Sequence, residues 1–175
     1  MSKPRVGIIM GSDSDLAVMQ GAAQALEEME IAFELTVCPA HRTPDRALER
    51  AATARKRGLE VIIAGAGLPA HLPGVLATTL PVIGVPLTSG ALNGVDTPYA
   101  IVQMPPGIPV ATVAIGGARN AGLPAAAIIG SHDRDVAGRL EAFRAQQSQA
   151  VNARAQKREE IGYRAYLESQ RGGGR

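Results

Sequence analysis

The chain has 175 residues, enough for one domain with a substantial core and too few for two comfortable ones. Hydrophobic residues make up 46% of it, which excludes disorder over most of its length, and aromatic residues make up 3%, which leaves little for stacking bases. The net charge of +2, with part of the basic surplus gathered late in the chain (Arg154, Lys157, Arg158, Arg164, Arg171, Arg175), argues against a nucleic-acid binder.

Lys3 and Arg5 lead into Val6–Met10, an apolar run too short for a secretory core. No segment is long enough to cross a bilayer without Gly, Pro or charge, so we expect a soluble cytoplasmic protein with no membrane partner. The single cysteine, Cys38, permits no intrachain disulfide, which fits a reducing compartment, and reads as a small buried hydrophobe at a strand end.

Val6–Met10 reads as a buried strand that ends in the polar turn Gly11-Ser12-Asp13-Ser14-Asp15. Leu16, Met19, Ala23 and Leu26 then recur near helical spacing, with Ser12 to Asp15 as possible N-caps. Residues 32–37 alternate as a second strand. Thr43 and Pro44 open the next helix as N-cap and first helical residue, and that helix is expected to end near Gly58. Residues 61–64 read as a third strand, with Gly65-Ala66-Gly67 as its exit loop and a short helix around 71–78. Residues 80–85 form a fourth strand, 99–103 a helix or turn, 110–115 a fifth strand, and 118–129 a helix that Pro124 either kinks or starts. From about Asp133 onward Val136, Leu140, Phe143 and Val151 give a long polar helix an apolar stripe.

Strands alternating with helices predict an α/β fold: three layers, a parallel sheet with helices on both faces, and a C-terminal helical tail. We expect a catalytic domain over 1–132, a helical tail over 133–171 that packs on a neighbouring subunit, and a disordered end over 172–175. In such folds ligands bind beyond the carboxyl ends of the strands. Three unusual loops lie there: Gly11 to Asp15, Pro39 to Pro44, and Gly65 to Gly74.

The first loop can favour an anion through backbone N–H groups at a helix start and the hydroxyls of Ser12 and Ser14, while Asp15 can accept hydrogen bonds from a ribose diol. It has no P-loop lysine and no dinucleotide fingerprint. In the second loop the imidazole of His41 can give and take a proton, and Arg42 can grip a phosphate or carboxylate. In the third, Gly67 lets backbone approach a ligand closely, and His71 follows. Any one of these loops alone fits an ordinary capped turn. Their coincidence on one sheet edge points to proton transfer on a small sugar phosphate. His132 lies elsewhere and reads as structural. No cluster has metal-ligand spacing, so we expect no metal.

Collinear segments carry a resemblance: Val6 to Asp15; Ala40-His41-Arg42-Thr43-Pro44; Ile62 to Gly67 with Ala70-His71-Leu72-Pro73-Gly74; Gly84-Val85-Pro86; and Ile101 to Pro105 with Gly107 to Val110. With these the chain resembles the 5-(carboxyamino)imidazole ribonucleotide mutase family of purine (IMP) biosynthesis. The resemblance implies a flavodoxin-like fold, a homo-octamer, and transfer of a carboxylate from the exocyclic nitrogen to carbon 4 of the imidazole without a cofactor. It implies decarboxylation and recarboxylation, His41 as the catalytic proton shuttle, Ser12, Asp15 and Arg42 as substrate-binding positions, and His71 as a second pocket histidine; Gly11, Ser14 and Gly67 join the expected substrate-binding set from the loop reading. The chain departs from the family pattern at Pro39, where serine is usual, and at Leu68-Pro69, where glycine and alanine are usual; 114–120 is about two residues short and carries Arg119. Two alternatives stand beside this reading: an aminoimidazole ribonucleotide carboxylase that uses carbon dioxide directly, and a non-catalytic sugar-phosphate binding paralogue.

Overall fold

The computed structural model describes residues 3–172 except 78 and 91. The expected disorder of 172–175 falls mostly on 173–175, outside the described residues; Gly172 ends a helix. By internal contacts the chain divides into two units, Met1–Ala137 and Gly138–Arg175.

The first unit holds five parallel strands: β1 (Val6–Met10), β2 (Phe33–Val37), β3 (Val61–Ala66), β4 (Val82–Pro86) and β5 (Ala111–Thr112). Their order is β2-β1-β3-β4-β5, the doubly wound flavodoxin-like arrangement. Burial follows from position. β1, β3 and β4 are covered on both faces and buried at every residue, which is why they read as continuous apolar runs. β2 lies at an edge and is only half-buried, and it alternates in sequence.

The helices are α1 (Leu16–Glu28), α2 (Pro44–Thr53), α3 (Leu72–Leu76), α4 (Asp96–Val102), α5 (Ala118–Gly130) and α6 (Arg134–Gly172), with a 3-10 turn at Asp13–Asp15 before α1. Right-handed crossovers dictate their sides. The connection from β1 to β2 moves one way along the sheet; those from β2 to β3, β3 to β4 and β4 to β5 move the other way. So α1 joins α5 on one face. Ile9, Ile62, Ala64 and Val82 on the opposite face pack with Ala47 and Ala51 of α2, Leu72 and Leu76 of α3 and Ile101 of α4.

The α1–α5 layer is close-packed through small residues. A methyl group added at Gly122 would lie 2.7 Å from Ala25 Cβ and 2.9 Å from the Ala22 carbonyl oxygen. One added at Gly65 would lie 2.4 Å from Met19 Sδ, which is buried.

Several boundaries differ from the sequence expectation. Gly65 and Ala66 belong to β3, because Gly65 pairs with both β1 and β4, so the exit loop begins at Gly67. α2 ends at Thr53, and the chain turns through Gly58 (φ 96°). β5 keeps only two residues. Beyond it Val113 N–H still donates to Gly84 and Gly116 N–H to Pro86, but Gly116 (φ 69°) turns the chain out of the ladder. α5 starts at Ala118, so Pro124 lies inside it and does not mark its start. In α6, Gly162 (φ 76°, ψ 159°) leaves helical geometry. Of the predicted stripe, Val136 is buried, Leu140 and Phe143 are half-buried, and Val151 is 60% exposed. Among the described residues no helix is long and apolar enough to cross a membrane.

At the amino end of the strands Arg5 bridges Glu60 and Asp133, and His132 Nε2 lies 2.7 Å from Glu60 Oε2. Burial pushes the Glu60 carboxyl up, but hydrogen bonds from Arg5 and His132 outweigh it and hold it below its ordinary value. The Arg5 hydrogen bond does the same for Asp133.

This packing and this network can each be tested by substitution. Gly122→Ala overpacks against backbone and costs about 1–3 kcal/mol, whereas Gly138→Ala, with nothing within 4 Å, gains roughly 0.5–1 kcal/mol from helix propensity; urea melts measure both. A carboxyl with a depressed folded pKa stabilises above its unfolded pKa and loses that contribution as pH falls through the folded value. Glu60→Gln therefore costs about 1 kcal/mol at neutral pH, a solvent-screened amount, and the gap to the parent closes below about pH 4.

Candidate active site

β1 and β3 are neighbours, but their connections leave toward opposite faces, so a crevice opens between them at the carboxyl edge. A cavity of about 310 Å³ fills it, lined by Gly11, Ser12 and Asp15 after β1, Pro39 to Arg42 after β2, Ala66 to Pro69 and Leu72 around the β3 exit, and Ser89 after β4.

The first loop is a closed capping box. Ser12 Oγ accepts the Ser14 N–H, and the Asp15 carboxylate accepts the Ser12 N–H at 2.9 Å. Gly11 N–H donates to Gly65 and Asp15 N–H to the Ser12 carbonyl. The backbone donors of Gly11, Ser12, Ser14 and Asp15 are thus occupied inside the protein, and the loop presents side chains rather than an open N–H cradle. Ser14 Oγ lies 2.9 Å from Ser12 Oγ and stands outside the cavity lining. Burial raises the Asp15 carboxyl above its ordinary value against the hydrogen bonds that lower it.

The second loop is folded onto the Pro39 carbonyl, which accepts from the Arg42 N–H, the Thr43 N–H and the Thr43 hydroxyl. Thr43 occupies the N-cap position of α2 as expected, and its carbonyl accepts the Ala47 N–H, but its hydroxyl bonds the loop instead of a helix N–H; Pro44 opens the helix. This fold presents His41 and Arg42 to the cavity. Arg42 Nη2 reaches the Gly11 carbonyl at 3.4 Å. Among the described residues it has no carboxylate partner, so its guanidinium is available to an anion.

His41 Nε2 lies 2.8 Å from His71 Nδ1, with the rings edge-on at 74° and their centroids 5.0 Å apart. The contact joins the second and third loops. A nitrogen–nitrogen contact of this length holds one hydrogen, donated by either ring. When His41 donates it, His41 Nδ1 is left as a base; when His71 donates it, His41 Nδ1 carries a proton. The pair can therefore take up or release a proton at His41 while staying hydrogen-bonded. His71 itself is not part of the cavity lining and reaches the site through His41.

The third loop brings Gly67, Leu68 and Pro69 to the cavity, and the Leu68–Pro69 peptide is cis. Of the departures from the family pattern, Pro39, Leu68 and Pro69 line the cavity, and 114–120 with Arg119 does not. Sequence reasoning missed Ser89. The available signal was its place just past the fourth apolar strand, on the edge where the other loops had been sought.

A family model described as AIR carboxylase matches residues 5–150. The chain belongs to that family. It is 55% identical over 166 residues to the N5-carboxyaminoimidazole ribonucleotide mutase of Thermotoga maritima, with 94% of this chain and 97% of the relative covered. It is also 52% identical to the phosphoribosylaminoimidazole carboxylase of Saccharomyces cerevisiae, covering 97% of this chain and 30% of that longer protein. The crystal structure of Treponema denticola PurE shares the fold at a TM-score of 0.73 and 26% identity, over 88% of this chain and 98% of that one.

The raised Asp15 carboxyl gives the cavity a pH test. An ionised carboxylate accepts a ligand hydroxyl more strongly than a protonated one, and the raised pKa brings the loss of charge to higher pH. Ligand affinity should fall on acidification from above the ordinary carboxylate range, about pH 4. Asp15→Asn should bind about tenfold more weakly at neutral pH, with that acidic limb gone, by calorimetry across pH.

Proposed function

We propose that this protein is an isomerase that converts 5-(carboxyamino)imidazole ribonucleotide to 4-carboxy-5-aminoimidazole ribonucleotide in purine biosynthesis. The observation that carries the reading is His41 at the cavity wall, hydrogen-bonded to His71 and flanked by Arg42, in a chain aligned almost end to end with mutase relatives.

The reaction breaks the bond between the exocyclic nitrogen and the carboxylate carbon, forms a bond from that carbon to ring carbon 4, and moves one proton from carbon 4 to the nitrogen. No electrons are exchanged with another molecule, so a single proton shuttle suffices. Departure of the carboxylate gives aminoimidazole ribonucleotide and carbon dioxide held in the cavity; the ring then attacks the carbon dioxide through carbon 4. His41 gives a proton to the nitrogen as the carboxylate departs and takes the carbon 4 proton once the new carbon–carbon bond has formed, which restores its starting state. Arg42 and the Ser12 hydroxyl hold the phosphate, and Asp15 the ribose hydroxyls. The apolar wall formed by Leu68, Pro69 and Leu72 offers carbon dioxide a surface to rest against, which favours recapture over escape.

Homo-octameric assembly with α6 packed on a neighbouring subunit, and a cytoplasmic location, belong to the same reading. The exposed Val151 supports the packing. A catalytic domain over 1–132 with a tail from 133 is part of the same reading.

Purified protein given the carboxyamino ribonucleotide should form the carbon-linked product. Given aminoimidazole ribonucleotide and moderate bicarbonate, it should form little. The opposite result favours direct carboxylation, and binding without turnover of either favours a binding paralogue. His41→Asn should keep fold and binding but lose about 10²–10⁴-fold in turnover; normal turnover would remove His41 from the mechanism.

A further inference from the structure

The exit loop of β4 carries a ligand-directed group that the functional reading does not use. Its backbone is tightly fixed. Leu87 N–H donates to the Ala66 carbonyl, which continues the β3–β4 ladder beyond the strands. The Leu87 carbonyl accepts from the hydroxyl of Thr97, a fully buried residue of α4. The Ser89 carbonyl accepts the Gly94 N–H, and Gly94 (φ 81°) lies so close to Thr88 that an added methyl group would meet its Cα at 2.9 Å. These ties place Ser89 at the cavity wall.

The Ser89 hydroxyl oxygen accepts the Leu68 N–H at 2.7 Å. That bond spends an acceptor lone pair and orients the hydroxyl. Among the described residues no acceptor takes the Ser89 hydroxyl hydrogen. A hydroxyl that accepts from a loop and lines a cavity offers its hydrogen to whatever the cavity holds.

The charge layout says which part of a ligand that is. Arg42, the free guanidinium, stands on the exit loop of β2, and Ser89 on that of β4. The two loops are three strand spacings apart, about 14 Å. Between them, on the β1 loop, the Asp15 carboxylate repels anions and accepts hydroxyls. The Arg42 side chain reaches across to the β1 loop, its Nη2 3.4 Å from the Gly11 carbonyl, so a ligand that spans the cavity meets the cation and the Asp15 acceptor on the β1 side and the neutral Ser89 hydroxyl on the β4 side. We propose that Ser89 donates to the carboxylate of the bound ligand and selects carboxylated over uncarboxylated imidazole ribonucleotides. This rests on the functional reading above and extends it to a residue outside that mechanism. With Pro69 bringing no N–H to this loop, the donor comes from the neighbouring strand's loop instead.

The test compares two probes on the full chain by calorimetry: 4-carboxy-5-aminoimidazole ribonucleotide and aminoimidazole ribonucleotide. Ser89→Ala should bind the carboxylated probe about tenfold more weakly and the uncarboxylated probe within about twofold of the parent, the size of one hydrogen bond to an anion. Ser89→Thr, which keeps the hydroxyl, should retain the parent's preference. A purely structural role weakens both probes equally, so equal losses overturn the proposal, as do unchanged affinities or a loss in Ser89→Thr as large as in Ser89→Ala. If the parent binds neither probe, the functional reading falls together with it. If the parent binds both and Ser89→Ala matches it, only the Ser89 assignment falls.

Discussion

The reversal of strand order between β1 and β3 is the constraint on which the site depends. Parallel strands joined by right-handed crossovers must send α1 to one face and α2, α3 and α4 to the other. The chain leaving β1 and the chain leaving β3 therefore part, and the sheet edge between them cannot be closed by backbone. The cavity occupies that gap. Each loop around it is first stabilised internally: the Ser12–Asp15 capping box, the Pro39 carbonyl that gathers Arg42 and Thr43, and the Leu68–Ser89 hydrogen bond. What each loop then exposes is side-chain chemistry.

Much of this was legible in the sequence. β1 was readable to the residue because a central strand buried on both faces shows as an uninterrupted apolar run closed by a polar turn. Thr43-Pro44 located the start of α2, since proline at the first helical position gives up an N–H that is unpaired there anyway. The edge position of His41, Arg42 and the Ser12–Asp15 turn followed from the α/β pattern alone.

The rest depended on tertiary contacts that no local pattern carries. Gly65 read as loop because glycine weakens strands, yet it sits in β3 where buried Met19 leaves room for nothing larger. β5 reads as six residues by composition, but as an edge strand it pairs only with β4 and keeps two. Helix-start amides read as an anion site, but those of Gly11, Ser12, Ser14 and Asp15 are bonded within the protein, which leaves the Arg42 guanidinium as the group available to an anion. The His41–His71 contact joins residues thirty apart in sequence, and Ser89 reaches the site from a strand two places from β1. Neither pairing leaves a trace in spacing.

The central claim is that His41 shuttles a proton while the same carboxyl group leaves the nitrogen and returns to carbon within the cavity. The most direct measurement follows the carboxyl carbon. Carboxyamino ribonucleotide with an isotopic label in that carbon is converted by the protein in unlabelled bicarbonate buffer, and the product is analysed by mass. The account predicts that the product retains the label. A product that takes its carboxyl group from the buffer would contradict it.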